Sequence, residues 1–227
     1  MNNMIKGCIF DLDGVIVDTA KFHYIAWKQL AKELGFDFSL EDNERLKGVS
    51  RERSLEILLE IGNIKVADKE KQLLAQKKNK IYRQLISSLT PKDILPGVMD
   101  FLLQARDLNK KLAIASASKN TPLILERLQL DNFFDAVVDG NKITKAKPDP
   151  QVFIFAAKEL LLNPEQCIVF EDAKAGIEAA KRANMVAIGV GDKKRLPKAD
   201  INITSFENLN CKTLLEKIQN IINNKRQ

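Results

Sequence analysis

The sequence predicts an α/β fold in which a Rossmann-like parallel sheet, with helices on both faces, carries an inserted all-helical domain. Two patterns in the 227 residues predict it. Short, continuous apolar runs alternate with amphipathic stretches, which is typical of strands that are buried on both faces of a parallel sheet. Between the first and second runs, a long segment shows only helical periodicity, and it is too long to be a single crossover helix.

Six apolar runs are predicted to be strands of this sheet, because each is short and bounded by turn or polar residues. In chain order they are IKGCIFDLD (5–13), KKLAIASAS (110–118), FDAVVDG (134–140), QCIVFED (166–172), MVAIGVG (185–191) and the weaker ADINIT (199–204). Helical patterns precede the second run, lie between later runs and follow the sixth, at residues 98–108, 121–128, 151–160, 173–183 and 211–223.

The inserted segment covers residues 18–89, which leaves 1–17 and 90–227 for the sheet domain. FHYIAWKQLAKEL (22–34) and SLEILLEI (54–61) are amphipathic at helical spacing, and the Lys-rich stretch 68–88 is predicted to be a third helix. Turn residues in TPKDILPG (90–97) mark one hinge, and the other is expected at 17–19.

The composition argues against several classes of function. The net charge is +6, but basic residues are spread along the chain instead of clustering with aromatic residues, so no nucleic-acid partner is expected. No apolar stretch is long enough to span a bilayer, and MNNMIKGCIF lacks the pattern of a signal peptide, so no membrane partner is expected. Cys8 and Cys167 lie in apolar runs and are expected to be buried, which fits a cytoplasmic protein.

Chemically active residues follow four of the predicted strands. Because ligands bind outside the carboxyl ends of parallel strands, these residues are expected to share one edge of the sheet. Several carboxylates at one edge would repel one another unless a cation joined them, and an oxygen-only ligand set favours Mg²⁺. The residues are Asp11 and Asp13 after the first strand, Ser116 and Ser118 after the second, Lys147 after the third, and Glu171 and Asp172 after the fourth.

The spacing of Asp11 and Asp13 allows two roles at one reacting centre, because residues two apart on a strand point to the same side. Asp11 can attack phosphorus and form an aspartyl phosphate. Asp13 can give a proton to the leaving oxygen and later accept one. Lys147 and the Ser116 hydroxyl would then hold the transferring group, where stabilisation of its negative charge matters most.

Four segments, in this order, resemble the motifs of the haloacid dehalogenase superfamily of phosphotransferases, and the resemblance spans the whole chain. They are DLDGVIVDT, SAS, KPDP and FEDAKAGIEAAKRA, and the helical insert resembles the small mobile cap of that superfamily. Within the superfamily the chain resembles the β-phosphoglucomutase family, through DLDGVIVDTAKFHYIAWKQLA, LKGVSRERSLE and LAIASASKNTPLILERL.

This resemblance implies a Mg²⁺-dependent enzyme that interconverts β-glucose 1-phosphate and glucose 6-phosphate through bound glucose 1,6-bisphosphate. The small-molecule sugar phosphate and the bisphosphate are the implied partners of a chain that is expected to be monomeric. The implied sites are the transferring phosphate at Asp11, Ser116, the Ala117 backbone N–H and Lys147; the second phosphate at Arg51, Ser118, Lys119 and Asn120; and Mg²⁺ at Asp11, the Asp13 backbone carbonyl, Glu171 and Asp172.

The resemblance also assigns roles to residues of the helical insert. Thr19 and His23 match positions that couple the hinge to Asp13, and Lys78 matches a lysine that joins them. Arg51 suits a bidentate grip on phosphate that a lysine could not reproduce. The remaining substrate-binding positions of the insert are Trp27, Gly48 and Val49.

Most of these residues also have a purely structural interpretation. The Asp-Gly pair could form only a turn, and the two serines could cap the helix that begins near Thr121. Glu171 and Asp172 could favour the start of the next helix through its dipole. In the insert, Arg51 could be an exposed helix residue after the cap Ser50, His23 and Trp27 could be packing residues, and Lys78 could be one lysine among many.

Two other functions remain open at this point. A phosphatase would begin with the same chemistry, but water would take the phosphoryl group from Asp11. The second phosphate set, Arg51 with Ser118, Lys119 and Asn120, separates the two, because a phosphatase of monophosphates has less need of it. A catalytically silent binding protein is the third possibility, and the carboxylates present at all the expected positions argue against it.

Overall fold

A computed structural model of the chain describes residues 4–46 and 50–224. The chain divides into two compact units, and the first combines the chain up to Asp18 with the chain from Thr90 onwards. The second unit is the segment Thr19–Leu89. Within the described ranges, no helix is both long and apolar enough to cross a membrane.

The first unit is built on a six-stranded sheet in which every pair of neighbouring strands is parallel. The strand order is β3-β2-β1-β4-β5-β6. This result confirms the predicted Rossmann-like sheet, and all six apolar runs contain a strand. The strands are β1 (Gly7–Phe10), β2 (Lys111–Ala115), β3 (Ala136–Val138), β4 (Cys167–Glu171), β5 (Val186–Val190) and β6 (Ile201–Ile203).

Helices cover both faces of this sheet because alternate strand residues point to opposite sides and nearly all of them are apolar. On one face, alternate strand residues pack with the apolar sides of α7 and α8 in one buried cluster. On the other face Phe10 and Phe170 stack with ring centroids 4.7 Å apart, and Phe101 of α5 meets the Phe170 ring edge-on. The helices are α5 (Val98–Asp107), α6 (Thr121–Arg127), α7 (Gln151–Glu159), α8 (Lys174–Arg182) and α9 (Cys211–Asn224), with short 3₁₀ turns at Pro91–Asp93 and Pro164–Gln166.

The second unit is entirely helical where it is described. It contains α1 (Ala20–Glu33), α2 (Leu40–Glu44), α3 (Arg51–Ile61) and α4 (Asp68–Ile86). Its hydrophobic core includes Trp27, Leu30, Phe38, Leu55 and Leu58, all of them nearly or fully buried. The unit therefore has a core of its own, as an independent domain requires.

Two details differ from the sequence predictions. Helix α2 was not predicted, because five residues carry no helical periodicity; a reciprocal capping box between Ser39 and Asp42 forms it instead. The strand argument for the first motif was also wrong, since β1 ends at Phe10 and Asp11 and Asp13 lie beyond it. Asp13 forms an isolated bridge with Val17 across the turn at 14–16, so strand alternation does not determine the direction of its side chain.

The expected burial of Cys8 and Cys167 is confirmed, and Cys211, for which no prediction was made, is also a buried free thiol. Burial raises the pKa of Cys167 to about 12 and that of Cys211 to about 11, and it raises the pKa of Cys8 further still. The three side chains therefore remain protonated near neutral pH and act as small apolar groups.

Candidate active site

Asp11 and Glu171 lie at the centre of the sheet, where the strand order reverses between β1 and β4. Asp11 is the first residue after β1, and Glu171 is the last residue of β4. The backbone N–H of Asp11 donates to the Phe170 carbonyl at 2.9 Å, which extends the strand pairing to the point where the two carboxylates emerge. This crevice at the carboxyl ends of the strands is where doubly wound sheets bind ligands.

Lys147 joins these two carboxylates. Its Nζ lies 2.7 Å from Asp11 Oδ1 and 2.7 Å from Glu171 Oε2, and it also donates to the Ala115 carbonyl at 3.3 Å. The Lys147 side chain is 12% exposed, and that of Glu171 only 1%. Lys147 precedes a cis peptide bond to Pro148. One buried lysine therefore contacts residues at the ends of three strands.

The positive charge of Lys147 does not fully compensate the negative charges of the carboxylates in this cluster. Burial lowers the pKa of Lys147, but the charges of Asp11 and Glu171 outweigh burial and hold that pKa above its usual range, so Lys147 is charged. Burial raises the pKa of Glu171 to about 8, against the positive charge of Lys147 and with the added repulsion of Asp11. Burial and Asp11 also raise the pKa of Asp172, to about 6.

The same carboxylates fit a metal ion. One ligand oxygen each from Asp11, Glu171 and Asp172 lies within 4.8 Å of the other two. Hard oxygen donors at this mutual distance suit Mg²⁺, which usually keeps several waters and takes few protein carboxylates. A divalent cation would also remove the shortage of positive charge that raises the pKa values of Glu171 and Asp172.

The segment 116–120 forms a loop between β2 and α6 whose backbone is organised by its serines. Ser116 is 2% exposed, and its Oγ accepts from the backbone N–H of Ser118 at 3.1 Å. The Oγ of Ser118 accepts from the N–H of Asn120 at 3.2 Å. A hydroxyl has one donor and two acceptor sites, so each serine can still donate its O–H to a ligand. Ala117 and Lys119 are exposed in this loop, and Asn120 is buried.

The capping interpretations of the site residues fit less well than expected. The N-cap residue of α6 is Asn120, so neither Ser116 nor Ser118 occupies that position. Ala173 occupies the N-cap of α8 without a side-chain cap, although Glu171 Oε1 accepts the Ala173 N–H at 3.0 Å. For Ser50, by contrast, the capping prediction is confirmed, because its hydroxyl accepts from the Arg53 N–H at the start of α3.

A second loop, after β3, braces the 116–120 loop and was missed in the sequence. The Gly140 N–H donates to the Ser118 carbonyl at 3.2 Å, and a Cβ at Gly140 would lie only 2.9 Å from the Lys119 nitrogen. The Asn141 side chain donates to the Lys119 carbonyl at 3.3 Å, while the buried Asp139 accepts both the backbone and side-chain N–H groups of Asn141. The Asp-Gly-Asn string was the available signal, but it predicts only a turn.

Gln151 braces the loop that carries Lys147 and was also missed. Its Oε1 accepts from the backbone N–H groups of Thr144 and Lys145 at 2.8 and 2.9 Å. Its own backbone N–H donates to Asp149 at 3.0 Å. These bonds fix both sides of Lys147, so that the lysine approaches the carboxylates from a restrained loop. Nothing in the sequence distinguishes this glutamine from any other first residue of a helix.

A cavity of about 300 Å³ lies in the first unit beside Asp172. Gly14 and Asp172 line one part of it, and Arg195 and Ser205 line another. Asp172 therefore faces an open space, whereas Glu171 is enclosed by protein.

The helical unit brings together four of its five described candidate residues. Lys78 Nζ lies 2.8 Å from His23 Nδ1 and stands over the Trp27 ring, 4.5 Å from its centroid. Tyr82 donates its hydroxyl to Thr19 Oγ1 at 3.1 Å and packs its ring against that of His23 at a tilt of 32°. Thr19, Trp27 and Lys78 are each at most 2% exposed.

The state of His23 follows from this packing. Burial, and then the positive charges of Lys78 and Arg51, lower the pKa of His23 well below its usual range, so the imidazole is neutral. A lysine ammonium can only donate hydrogen bonds, and Nδ1 is therefore the acceptor. The ring proton of His23 then lies on Nε2, which fixes the tautomer.

Arg51, the fifth candidate, is the half-buried first residue of α3 and contributes to the low pKa of His23. Gly48 and Val49 lie outside the described residues.

Comparison with known proteins agrees with this geometry. The sequence model of the haloacid dehalogenase-like hydrolase family matches residues 8–190. The chain is 45% identical to the β-phosphoglucomutase of Bacillus subtilis over 94% of its own length and 95% of that protein. It is 31% identical to a phosphorylated carbohydrates phosphatase of Thermotoga maritima, over 81% and 84% of the two chains. Its fold superposes on the crystal structure of a β-phosphoglucomutase from Clostridium difficile with a TM-score of 0.90 and 43% identity, covering 96% and 99% of the chains.

Proposed function

Because the chain belongs to the haloacid dehalogenase-like hydrolase family, we propose that it is a phosphomutase that interconverts β-glucose 1-phosphate and glucose 6-phosphate through glucose 1,6-bisphosphate. The observation that carries the chemistry is the buried lysine that holds Asp11 and Glu171 at 2.7 Å each, beside Asp172. The likeness to two β-phosphoglucomutases over nearly the whole chain supports the mutase over other reactions of the same nucleophile.

Asp11 is proposed to carry the phosphoryl group between the two ends of the sugar. In the first half-reaction the 6-hydroxyl of β-glucose 1-phosphate attacks the phosphorus of phosphorylated Asp11, and the bond between phosphorus and Asp11 breaks. Asp13 accepts the hydroxyl proton. The product is glucose 1,6-bisphosphate and a free Asp11 carboxylate.

The second half-reaction reverses these roles at the other end of the bisphosphate. After the bisphosphate turns around, the Asp11 carboxylate attacks the phosphorus on O1, and the bond between phosphorus and O1 breaks. Asp13 returns its proton to O1, which releases glucose 6-phosphate and restores phosphorylated Asp11. Atoms and protons therefore balance over the cycle, and no water enters it.

Lys147 and the 116–120 loop are proposed to hold the transferring group. The charged Lys147 lies against Asp11, where it can stabilise negative charge on the carboxylate and then on the phosphoryl oxygens. The Ser116 hydroxyl and the Ala117 N–H would donate to those oxygens. Mg²⁺ is proposed to be held by Asp11, Glu171 and Asp172 with the Asp13 backbone carbonyl, and when bound it supplies further positive charge at the reacting phosphoryl group.

The remaining predicted residues are proposed to serve the second phosphate and the closure of the site. Ser118, Lys119 and Asn120 would bind the phosphate that is not reacting, together with Arg51 of the helical unit, which we propose is a cap domain. Thr19, His23 and Lys78 would couple the hinge to Asp13. Trp27, Gly48 and Val49 complete the proposed substrate-binding set.

An assay that follows two products tests the proposal. The protein is incubated with Mg²⁺, β-glucose 1-phosphate and a trace of glucose 1,6-bisphosphate, while glucose 6-phosphate and free phosphate are measured together. Rapid formation of glucose 6-phosphate with little free phosphate is expected. The Asp11→Asn variant should form neither product, and α-glucose 1-phosphate serves as the control for the anomer.

A phosphatase is the second candidate, and the 31% identity with a phosphorylated carbohydrates phosphatase favours it. In that reaction water, not a sugar hydroxyl, would attack phosphorylated Asp11. Release of one free phosphate for each sugar phosphate consumed, without isomerisation, would contradict the mutase and support the phosphatase.

A further inference from the structure

Glu171 is enclosed on all the sides that the structure describes. Its Oε2 accepts from Lys147 at 2.7 Å, and its Oε1 accepts from the Ala173 N–H at 3.0 Å. Its side chain is only 1% exposed. The remaining side is occupied by the backbone of α8, which passes the carboxylate at Gly176.

The space around position 176 is too small for any residue larger than glycine. A Cβ built on Gly176 would approach Glu171 Cγ, Cδ and Oε2, each closer than the 3.0 Å that real Cβ atoms essentially never show. The carboxylate of Glu171 therefore rests on the Cα of Gly176. Neither group can move freely, because the bonds to Lys147 and to the Ala173 N–H hold the carboxylate from the other sides.

The backbone gives no other reason for a glycine at this position. Gly176 lies inside the helix Lys174–Arg182 and is not among the residues with a positive φ angle. Glycine is a poor residue for a helix interior, where alanine is the best. Helix propensity alone would therefore favour alanine at 176, and the close approach of Glu171 opposes it.

Gly14 stands in the same relation to Asp172, another carboxylate of the metal site. A Cβ on Gly14 would lie 2.5 Å from Cγ of Asp172 and 3.2 Å from its Cβ. Gly14 also has a φ of +80°, so its backbone requires glycine independently of Asp172. At Gly176, therefore, the effect of placing a side chain next to the carboxylate can be tested without added backbone strain.

We propose that Gly176 is a positioning residue for the metal centre. Because it has no side chain, the Glu171 carboxylate can lie close to the backbone of α8, and this position of the carboxylate sets the affinity of the site for Mg²⁺. A larger residue at 176 would displace the Glu171 carboxylate from this position and disturb its bonds to Lys147 and to the Ala173 N–H. This inference rests on the proposed function, because it assumes that Glu171 is a Mg²⁺ ligand. Changes to residues that orient metal ligands typically cost about 10–100-fold in metal affinity.

The first test compares Mg²⁺ binding to the wild type and to Gly176→Ala by calorimetry. The Mg²⁺ Kd of the variant is expected to rise at least about 10-fold. The turnover number at saturating Mg²⁺ should fall less than the Mg²⁺ affinity does. A Kd within about twofold of the wild type would overturn the inference while leaving the proposed function intact. Failure of the wild type itself to bind Mg²⁺ would overturn the cofactor assignment and the inference with it.

The second test measures thermal unfolding of the metal-free protein and separates positioning from a general structural role. Gly176→Ala should lower the melting temperature when Glu171 is present. In a Glu171→Ala background the clash is gone, so the same substitution should raise the melting temperature through its higher helix propensity. A change of the same sign in both backgrounds would show that residue 176 does not act through Glu171, and would overturn the inference.

Discussion

The molecule buries two lysines in opposite ways, one in each unit. Lys147 in the sheet unit lies between the carboxylates of Asp11 and Glu171, 2.7 Å from each. Lys78 in the helical unit lies against the neutral His23 and over the faces of two aromatic rings, at 4.5 and 4.8 Å from their centroids. Full charges hold the first lysine, and an imidazole and ring faces contribute to holding the second.

This difference corresponds to two uses of a buried cation. At Lys147 the charges are strong and the site still lacks positive charge, so it is ready for a metal ion and an anionic group. At Lys78 the positive charge lowers the pKa of His23 and fixes which ring nitrogen carries the proton. The lysine of the sheet unit thus balances negative charge at the reacting group, and the lysine of the helical unit helps to fix the protonation state of His23.

The largest expected effect follows from removing the lysine of the sheet unit. Lys147→Met keeps the apolar stem but leaves Asp11, Glu171 and Asp172 without their shared cation. We expect kcat to fall about 10²–10³-fold, because a charged donor to the reacting group is lost. The metal-free variant should also be less stable by about 3 kcal/mol, as measured by urea unfolding.

Mg²⁺ provides the control for that prediction. If the loss of stability comes from uncompensated carboxylates, saturating Mg²⁺ should recover more stability in Lys147→Met than in the wild type. Equal recovery in the two proteins would mean that the carboxylates are not the cause. A kcat within threefold of the wild type would contradict the catalytic role.

Removing the lysine of the helical unit should change the pKa of His23. Lys78→Met retains the packing on Trp27 and Tyr82 but removes a positive charge next to His23, so the pKa of His23 should rise. The chain contains a single histidine, and an NMR titration of the imidazole therefore reports on His23 alone. Lys77→Met, an exposed neighbour on the same helix, is the matched control and should leave that pKa nearly unchanged.

An unchanged titration of His23 in Lys78→Met would show that the charge of Lys78 does not lower its pKa. The contrast between the two buried lysines would then be one of packing, with no control of a neighbouring proton.

The pH dependence of stability should distinguish the two units. Glu171 and Asp172 have pKa values of about 8 and about 6, above their usual values of 4.5 and 3.8. The folded metal-free protein therefore binds protons that the unfolded chain releases, and the free energy of unfolding should fall as pH rises from 7.0 to 8.5. The folded His23 is neutral over this range and the unfolded one is partly protonated only near pH 7, so His23 contributes a smaller slope of the opposite sign.

Saturating Mg²⁺ should flatten or reverse that slope, because metal ligands must be deprotonated. Melting temperatures across the pH range, with and without Mg²⁺, check this outcome. Glu171→Gln is the control and should lose much of the slope of the metal-free protein. Identical slopes in the presence and absence of Mg²⁺ would contradict the placement of the ion at these carboxylates.

The smallest expected effect concerns the brace behind the 116–120 loop. Asn141→Ala removes the bonds from the Asn141 side chain to the Lys119 carbonyl and to Asp139. We expect kcat/KM to fall about 3–10-fold, or about 1 kcal/mol, since one partly exposed hydrogen-bonded brace is lost. Asn132→Ala, which removes only an exposed bond to the adjacent Asp131, should leave kcat/KM unchanged. Equal effects of the two variants would show that the brace does not act on the loop.

The sequence predicted the sheet well because its strands are buried on both faces. Each strand had to be a continuous apolar run, and the residues at the strand ends therefore stood out in the chain. Glu171 was found at a strand end and Lys147 in the loop after the third strand, and the structure places them in direct contact. Helix α2 was missed because its capping box, not apolar periodicity, forms it.

The parts of the site that were not predicted depend on distances between segments far apart in the chain. Gly140 and Asn141 contact the 116–120 loop, and no local pattern indicates that approach. Gly176 was the exception, since a glycine inside a helix contradicts helix propensity and could have prompted a search for a close neighbour. Which neighbour it accommodates could be seen only in the structure.

Trapping of the phosphorylated protein tests the central claim most directly. The protein is mixed with Mg²⁺ and glucose 1,6-bisphosphate that carries labelled phosphate, quenched in acid, and digested to locate the label by mass spectrometry. We predict the label on Asp11, its absence in Asp11→Asn, and its transfer to sugar when β-glucose 1-phosphate is added before the quench. Label on any other residue, or none on Asp11, would contradict the assignment of the nucleophile on which the account rests.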